Sequence, residues 1–197
     1  MPDSGRRGQI IFLNGTSSSG KSGIAEELLL LLDPPHFHMS VDAFNSMRAR
    51  QKTLELDPAE LDAVLARTRA GFHRAVAGMA EAGNDLVVDH VLSEPWRLLD
   101  CLAVLAGYRV VFVGVHCSAA ELDRRERARG DREAGQAVAQ RRQVHAQGLY
   151  DVECDTTAAS ARDCALRIKA FLDRGQEPAA FAELRSRLLG GKSSGTI

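Results

Sequence analysis

From residue 10 onward the chain alternates two apolar patterns. Short unbroken runs give way to longer stretches in which apolar side chains return every three or four positions. Unbroken runs suit strands buried on both faces, and the longer period suits helices with one covered face. The first run, Ile10-Ile11-Phe12-Leu13, predicts a strand. After a polar loop, residues 21–32 carry Ile24, Leu28 and Leu31 at helical spacing, and Asp33-Pro34-Pro35 stops that helix. A second strand is predicted at about 36–41, followed by Asp42 and a polar helical piece through Arg50. Asp57-Pro58 supplies an N-cap and a first-turn proline; Leu61, Leu65, Phe72, Val76 and Met79 then keep one apolar face until Gly83.

Leu86-Val87-Val88-Asp89 has the pattern of a fully buried strand. Pro95 opens a helix to about residue 106, closed by Gly107, and residues 109–116 form the clearest strand of all. Helices over 119–128 and 135–147 flank a basic turn, Arg129-Gly130-Asp131-Arg132. A weak last strand at 152–155, a closing helix at 158–172 and a further helix within 178–189 complete the pattern. Strands alternating with helices predict an α/β fold: a doubly wound, mainly parallel five-stranded sheet flanked by helices. The expected organisation is one domain over 9–173, a helical extension over 174–189 and a disordered Gly/Ser-rich tail at 190–197.

Composition narrows the functions. A chain of 197 residues, 45% of them hydrophobic, suffices for one domain with a substantial core. A net charge of −1 gives no reason to expect nucleic acid or an anionic membrane as partner; a homo-oligomer is left open. Apolar stretches such as 28–32 are too short to span a bilayer, and MPDSGRRGQ lacks a signal-type apolar segment, so a cytoplasmic location is expected. Cys101, Cys117, Cys154 and Cys164 form no C-x-x-C pair and are expected to be small buried hydrophobes. The six histidines show no metal-ligand spacing, so zinc is not expected.

The chemistry begins at GTSSSGKS, residues 15–22, which fits G-x-x-x-x-G-K-[ST] between a predicted strand and a predicted helix. Gly15 and Gly20 permit a tight turn that, with Thr16, Ser17, Ser18 and Ser19, aims backbone N–H groups at phosphate oxygens. Lys21 reaches the β- and γ-phosphates, Ser22 offers a hydroxyl to Mg²⁺, and the helix N-terminus adds positive potential. The motif therefore predicts a P-loop NTPase fold holding ATP with Mg²⁺. In such sheets ligands bind beyond the carboxyl ends of the strands, where Asp42 and Asp89 also fall. Asp89 suits a carboxylate supporting the metal, the alternative being a cap for the following loop. Asp42, expected on the strand end neighbouring the loop, suits a base for an attacking hydroxyl; capping a helix from Ala43 is the alternative.

Among the arginines, Arg124 and Arg127 suit a solvated helix face with Glu121, Asp123 and Glu126. Arg129 and Arg132 straddle a Gly-Asp turn and suit a lid that places guanidinium groups on a transferring phosphoryl. His90 follows Asp89 into the expected cleft, where it either touches substrate or makes a structural hydrogen bond.

Six stretches, in order along most of residues 9–172, resemble the chloramphenicol phosphotransferase family, small P-loop kinases with a nucleotide-kinase-like fold and a short Arg-rich lid. They are IIFLNGTSSSGKSGI at 10–24, VD at 41–42, AEAGNDLVVDHVL at 80–92, VGVHC at 113–117, RERARGDREAG at 125–135 and YDVECDTT at 150–157. The resemblance implies ATP- and Mg²⁺-dependent phosphorylation of a hydroxyl on a small antibiotic-like molecule. It maps the base onto Asp42, the loop lysine onto Lys21 and lid arginines onto Arg125, Arg129 and Arg132, and it places Asp155-Thr156-Thr157 near the adenine. Between Phe44 and Val64, where the acceptor pocket and Phe44 itself are expected, the likeness is general only, and His90 stands where an acidic residue is expected. A metabolite, nucleoside or nucleotide-sugar acceptor is therefore a second expectation. A nucleotide-dependent switch or binding protein is a third.

Overall fold

A computed structural model of the chain describes residues 5–129 and 136–190. Its elements in order are β1 (Ile10–Gly15), α1 (Lys21–Leu31), β2 (His36–Ser40), α2 (Val41–Ser46), α3 (Arg50–Leu54), α4 (Pro58–Glu81) and β3 (Asp85–His90). There follow α5 (Pro95–Val104), β4 (Val110–His116), α6 (Ala119–Arg129), α7 (Gln136–Val144), β5 (Val152–Asp155), α8 (Ala161–Asp173) and α9 (Ala180–Leu189). The five strands pair in the order β2-β3-β1-β4-β5, and every pairing is parallel. Asp42 therefore does not follow a strand beside β1, because β3 lies between β1 and β2.

The unbroken apolar runs are explained by the two cores they feed. Alternate strand side chains point to opposite faces. Ile10, Phe12, Leu86, Val88, Val110 and Phe112 join α4, α5 and α9 on one face. Ile11, Leu13, Val87, Val111, Val113 and Val115 join α1 and α8 on the other. The central strands β1 and β3 are buried throughout, whereas the edge strands β2 and β5 are only partly covered.

Local chemistry sets several boundaries. Asp57 and Glu60 form a capping box that starts α4, and Gly83, with φ 90°, follows its end in the left-handed region. A second capping box, Ser160 with Asp163, starts α8 at Ala161 rather than at residue 158. The expected helical piece through Arg50 is divided into α2 and α3. Between them Ser46 Oγ and Arg48 Nε donate to the carbonyls of Ala43 and Asn45, acceptors that a continuing helix would use.

The region beyond residue 173 is less separate than its place in the sequence suggests. α9 enters the first core through Ala180, Phe181 and Leu184. The Phe181 ring lies 6.1 Å from Phe12 and 5.3 Å from Phe112. The expected tail from residue 191 lies outside the described residues. Among the described residues no helix is long and apolar enough to cross a membrane. Phe181→Ala is expected to lower the unfolding free energy by about 3–5 kcal/mol, measured by urea denaturation; an unchanged midpoint would detach α9 from the core.

Candidate active site

The loop after β1 is shaped by two residues in the left-handed region, Ser18 at φ 58° and Gly20 at φ 91°. A side chain at Gly15 would press its Cβ to 2.6 Å from the Val115 carbonyl oxygen and 2.7 Å from Ser19 Oγ, so the first glycine is a steric requirement. Gly20 occupies the N-cap position of α1 and contributes no side-chain cap. Ser18 Oγ and Ser19 Oγ are buried without a protein hydrogen-bond partner. An anion seat at a helix N-terminus, with two hydroxyls awaiting acceptors, fits a polyphosphate.

β3 carries the matching carboxylate. Its register places Asp89 beside Leu13, so that the side chain meets the start of α1. Ser22 Oγ donates to Asp89 Oδ2 at 2.7 Å. Lys21 Nζ donates to the Thr16 carbonyl at 2.7 Å and lies 3.7 Å from Asp89 Oδ1, with both side chains buried. Asp89 thus belongs to the loop cluster through Ser22 and Lys21.

On the other side of the loop, Arg125 of α6 donates to the Ser18 carbonyl at 3.3 Å, Thr156 Oγ1 at 3.2 Å and the Thr156 carbonyl at 2.9 Å. Thr156 Oγ1 itself donates to the Ser19 carbonyl at 2.8 Å. Arg124, by contrast, is exposed and pairs with Glu121. Arg129 is the last residue of α6, while Arg132 and the turn from residue 130 lie outside the described residues.

Asp42 stands in the first turn of α2, whose N-cap is Ser40: the Asp42 N–H donates to Ser40 Oγ at 3.3 Å. Capping therefore falls to Ser40. Asp42, Ser17, Lys21, Ser22, Asp89, Arg125 and Thr156 line one cleft of about 910 Å³. Among the described residues, loop, metal-type carboxylate and prospective base share that space.

The family described as "Chloramphenicol phosphotransferase-like protein" matches residues 8–173. The chain belongs to that family. Two Mycobacterium tuberculosis proteins named "Putative O-phosphotransferase", from strains H37Rv and CDC 1551, are each 32% identical over 202 residues, covering 92% of this chain and 90% of theirs. Among solved structures, the tunicamycin resistance protein of Deinococcus radiodurans superposes with TM-score 0.64 at 20% identity, over 84% of this chain and 96% of its own. The Mycobacterium tuberculosis APS kinase, in complex with AMPPNP and APS, gives 0.62 at 18% identity over 85% and 99%. These neighbours share the fold. By family the chain is an O-phosphotransferase of the kinase type.

The remaining cleft residues include several without a signal in the sequence. Asn45 follows Asp42 by one turn, Arg69 projects from α4, and Ser93, Glu94 and Arg97 come from the entry to α5. No motif flags them, because they meet only when α2, α4 and the β3–α5 connection pack together. Phe44, expected in the pocket, instead packs edge-on against Phe72 with ring centroids 5.5 Å apart.

His90 borders the cleft with its side chain wholly buried, and both ring nitrogens have protein partners. Nδ1 accepts the Val91 N–H at 2.7 Å, so the proton sits on Nε2, 2.9 Å from His73 Nε2. His73 Nδ1 then donates to Asp100 at 2.6 Å. One chain of tautomers follows from these bonds, with both rings neutral. His90 is thereby a structural residue that ties β3 to α4 and α5.

Burial holds His73 below, and His90 well below, the ordinary 6.5; burial and neighbouring His116 bring His145 to about 4. In the unfolded chain these imidazoles take up protons below about pH 6.5, whereas in the folded chain they resist. Stability should therefore fall as pH drops from 6.5 towards 4. Melting temperature followed across that range should decline, and His145→Gln should flatten part of the decline; an identical slope in the variant would contradict this.

Proposed function

We propose that the protein transfers the γ-phosphoryl of ATP to a hydroxyl of a small, antibiotic-sized molecule, with Asp42 as the base. The observation that carries this reading is the single cleft holding Asp42 together with the loop residues and Asp89, while Ser40 caps α2. A motor or switch needs a group that orients water; a kinase needs a proton acceptor beside the acceptor hydroxyl. Membership of a phosphotransferase family and the names of the relatives support the second.

Ser22 and Asp89 would hold Mg²⁺, Asp89 through the metal's waters, and the ion would supply divalent charge to the phosphate oxygens. The loop N–H groups, Ser18 and Ser19 hydroxyls and Lys21 orient the phosphates. Arg125 and Thr156 brace the loop from the side where the adenine is expected. Asp42 takes the hydroxyl proton as the oxygen attacks phosphorus. The new O–P bond forms as the bond to the departing ADP oxygen breaks. Arg129 and Arg132 are proposed to close over the transferring group and to stabilise its spread charge.

Asp42→Asn should lower turnover by about 10²–10⁴-fold, measured by ADP release with an acceptor the wild type phosphorylates. Nucleotide affinity by calorimetry should be unchanged. Full turnover in that variant would remove Asp42 from the base role.

A further inference from the structure

Two arginines in the acceptor half of the cleft have no role in gripping the loop. Arg69, half-buried on α4, lines the cleft and makes no hydrogen bond or ion pair with another described residue. Arg97, at the start of α5, is 7% exposed. Its Nη1 donates to the Val91 carbonyl at 3.1 Å and Ser93 Oγ at 2.9 Å, and its Nη2 pairs with Glu94. Its Nε is buried without a partner. Arg48, whose charge acts on Arg69, also has a buried Nη1 without a partner.

Glu94, Asp42 and Asp62 act on this cluster alongside the arginines. Glu94 is engaged by Arg97 and by the Trp96 indole N–H at 2.7 Å. Burial lowers the basicity of Arg69 and Arg48 lowers it further, while Glu94, Asp42 and Asp62 oppose them. Arg97 is disfavoured first by burial and next by Arg69. Guanidinium groups stay charged regardless, so burying them together carries a cost that a bound anion would lower. The His73–Asp100 bond fixes α4 against α5, which holds the two arginines at a set separation.

We propose that the acceptor is a hydroxylated oxyanion, a small molecule whose carboxylate, sulfate or phosphate group is bound between Arg69 and Arg97. This deepens the phosphotransferase reading and rests on it for the hydroxyl. An oxyanion offers the paired acceptors that planar guanidinium groups match, and it offsets their repulsion. An uncharged acceptor would cover the Arg69 guanidinium without giving it a charged partner, at the cost of a buried charge left unpaired. Both arginines lie outside the six matching stretches quoted above, though within the family match over residues 8–173.

Trp96, the only tryptophan, lies beside Arg97, whose Cζ is 5.9 Å from the indole ring. Its fluorescence can report on the acceptor pocket while a non-hydrolysable ATP analogue saturates the loop. Titration with hydroxylated carboxylates, phosphates and sulfates should give saturable changes, and their neutral amide or alcohol counterparts should not. Arg69→Gln should weaken the anions by about 10–100-fold, the loss of a charge-assisted hydrogen bond, with the analogue's affinity unchanged; Arg69→Lys should restore part of it.

Neutral compounds binding as tightly as anions would overturn the proposal. So would an Arg69→Gln variant that lost nucleotide instead of acceptor. A neutral acceptor phosphorylated equally by wild type and Arg69→Gln would leave phosphoryl transfer standing and remove the anion. Saturable anion binding with no phosphorylated product from any bound anion would retain the arginine site and remove the transferase reading.

Discussion

The 2.7 Å hydrogen bond from Ser22 Oγ to Asp89 joins the first turn of α1 to the end of β3, and the cleft is arranged around it. It exists because β3 pairs directly with β1, in a register that sets Asp89 beside Leu13. The same pairing brings Lys21 to 3.7 Å from that carboxylate. β2 lies one strand further out, so Asp42 faces the loop across the carboxylate and not from an adjacent strand. In the proposed reading, Asp42 and the loop lie on either side of Asp89, the carboxylate proposed to support the metal.

The sheet's carboxyl edge is polar where its body is not, and the fold answers each buried polar group locally. Asn14, 1% exposed at the end of β1, donates to the Val144 carbonyl at 2.9 Å and Tyr150 Oη at 3.0 Å. Its Oδ1 accepts the Leu92 N–H at 3.1 Å. One amide thus links the loop entering α5 with the turn after α7. The two-histidine chain through His73 and His90 does the same for α4 and α5. Against that background several of the polar atoms left without partners, Ser18 Oγ, Ser19 Oγ, Asn45 Oδ1 and Arg97 Nε among them, belong to residues of the cleft or its loop, whereas His38 Nε2 and Arg48 Nη1 do not. Buried polar groups are ordinarily satisfied, so exceptions gathered at one cleft point to a ligand.

Much of the fold was legible because its signals are local. Unbroken apolar runs located β1, β3 and β4, and Gly83, Pro95 and Asp57-Pro58 marked helix ends with their own chemistry. The loop and its carboxylate were equally legible, since the motif dictates which residue types must meet. Strand order was not, because a register shared by parallel strands leaves no mark at the crossover; hence β2 appeared to neighbour β1. The acceptor half was illegible for a related reason. Asn45, Arg69 and Arg97 come from three elements and converge only through packing, while Phe44 and His90, adjacent to flagged acids, turn into the core. Proximity in sequence misled there: His90 follows Asp89 on a strand, where successive side chains face opposite sides of the sheet, and Phe44 lies on another face of α2 from Asp42.

The central claim is that this cleft moves a phosphoryl group to an oxygen of a small molecule. The most direct measurement is mass spectrometry of small hydroxylated compounds incubated with the protein, ATP and Mg²⁺, read alongside ADP release. The account predicts that one compound gains a phosphoryl group on oxygen in step with ADP. ATP consumed to inorganic phosphate, with every compound of a broad panel unmodified, would contradict it.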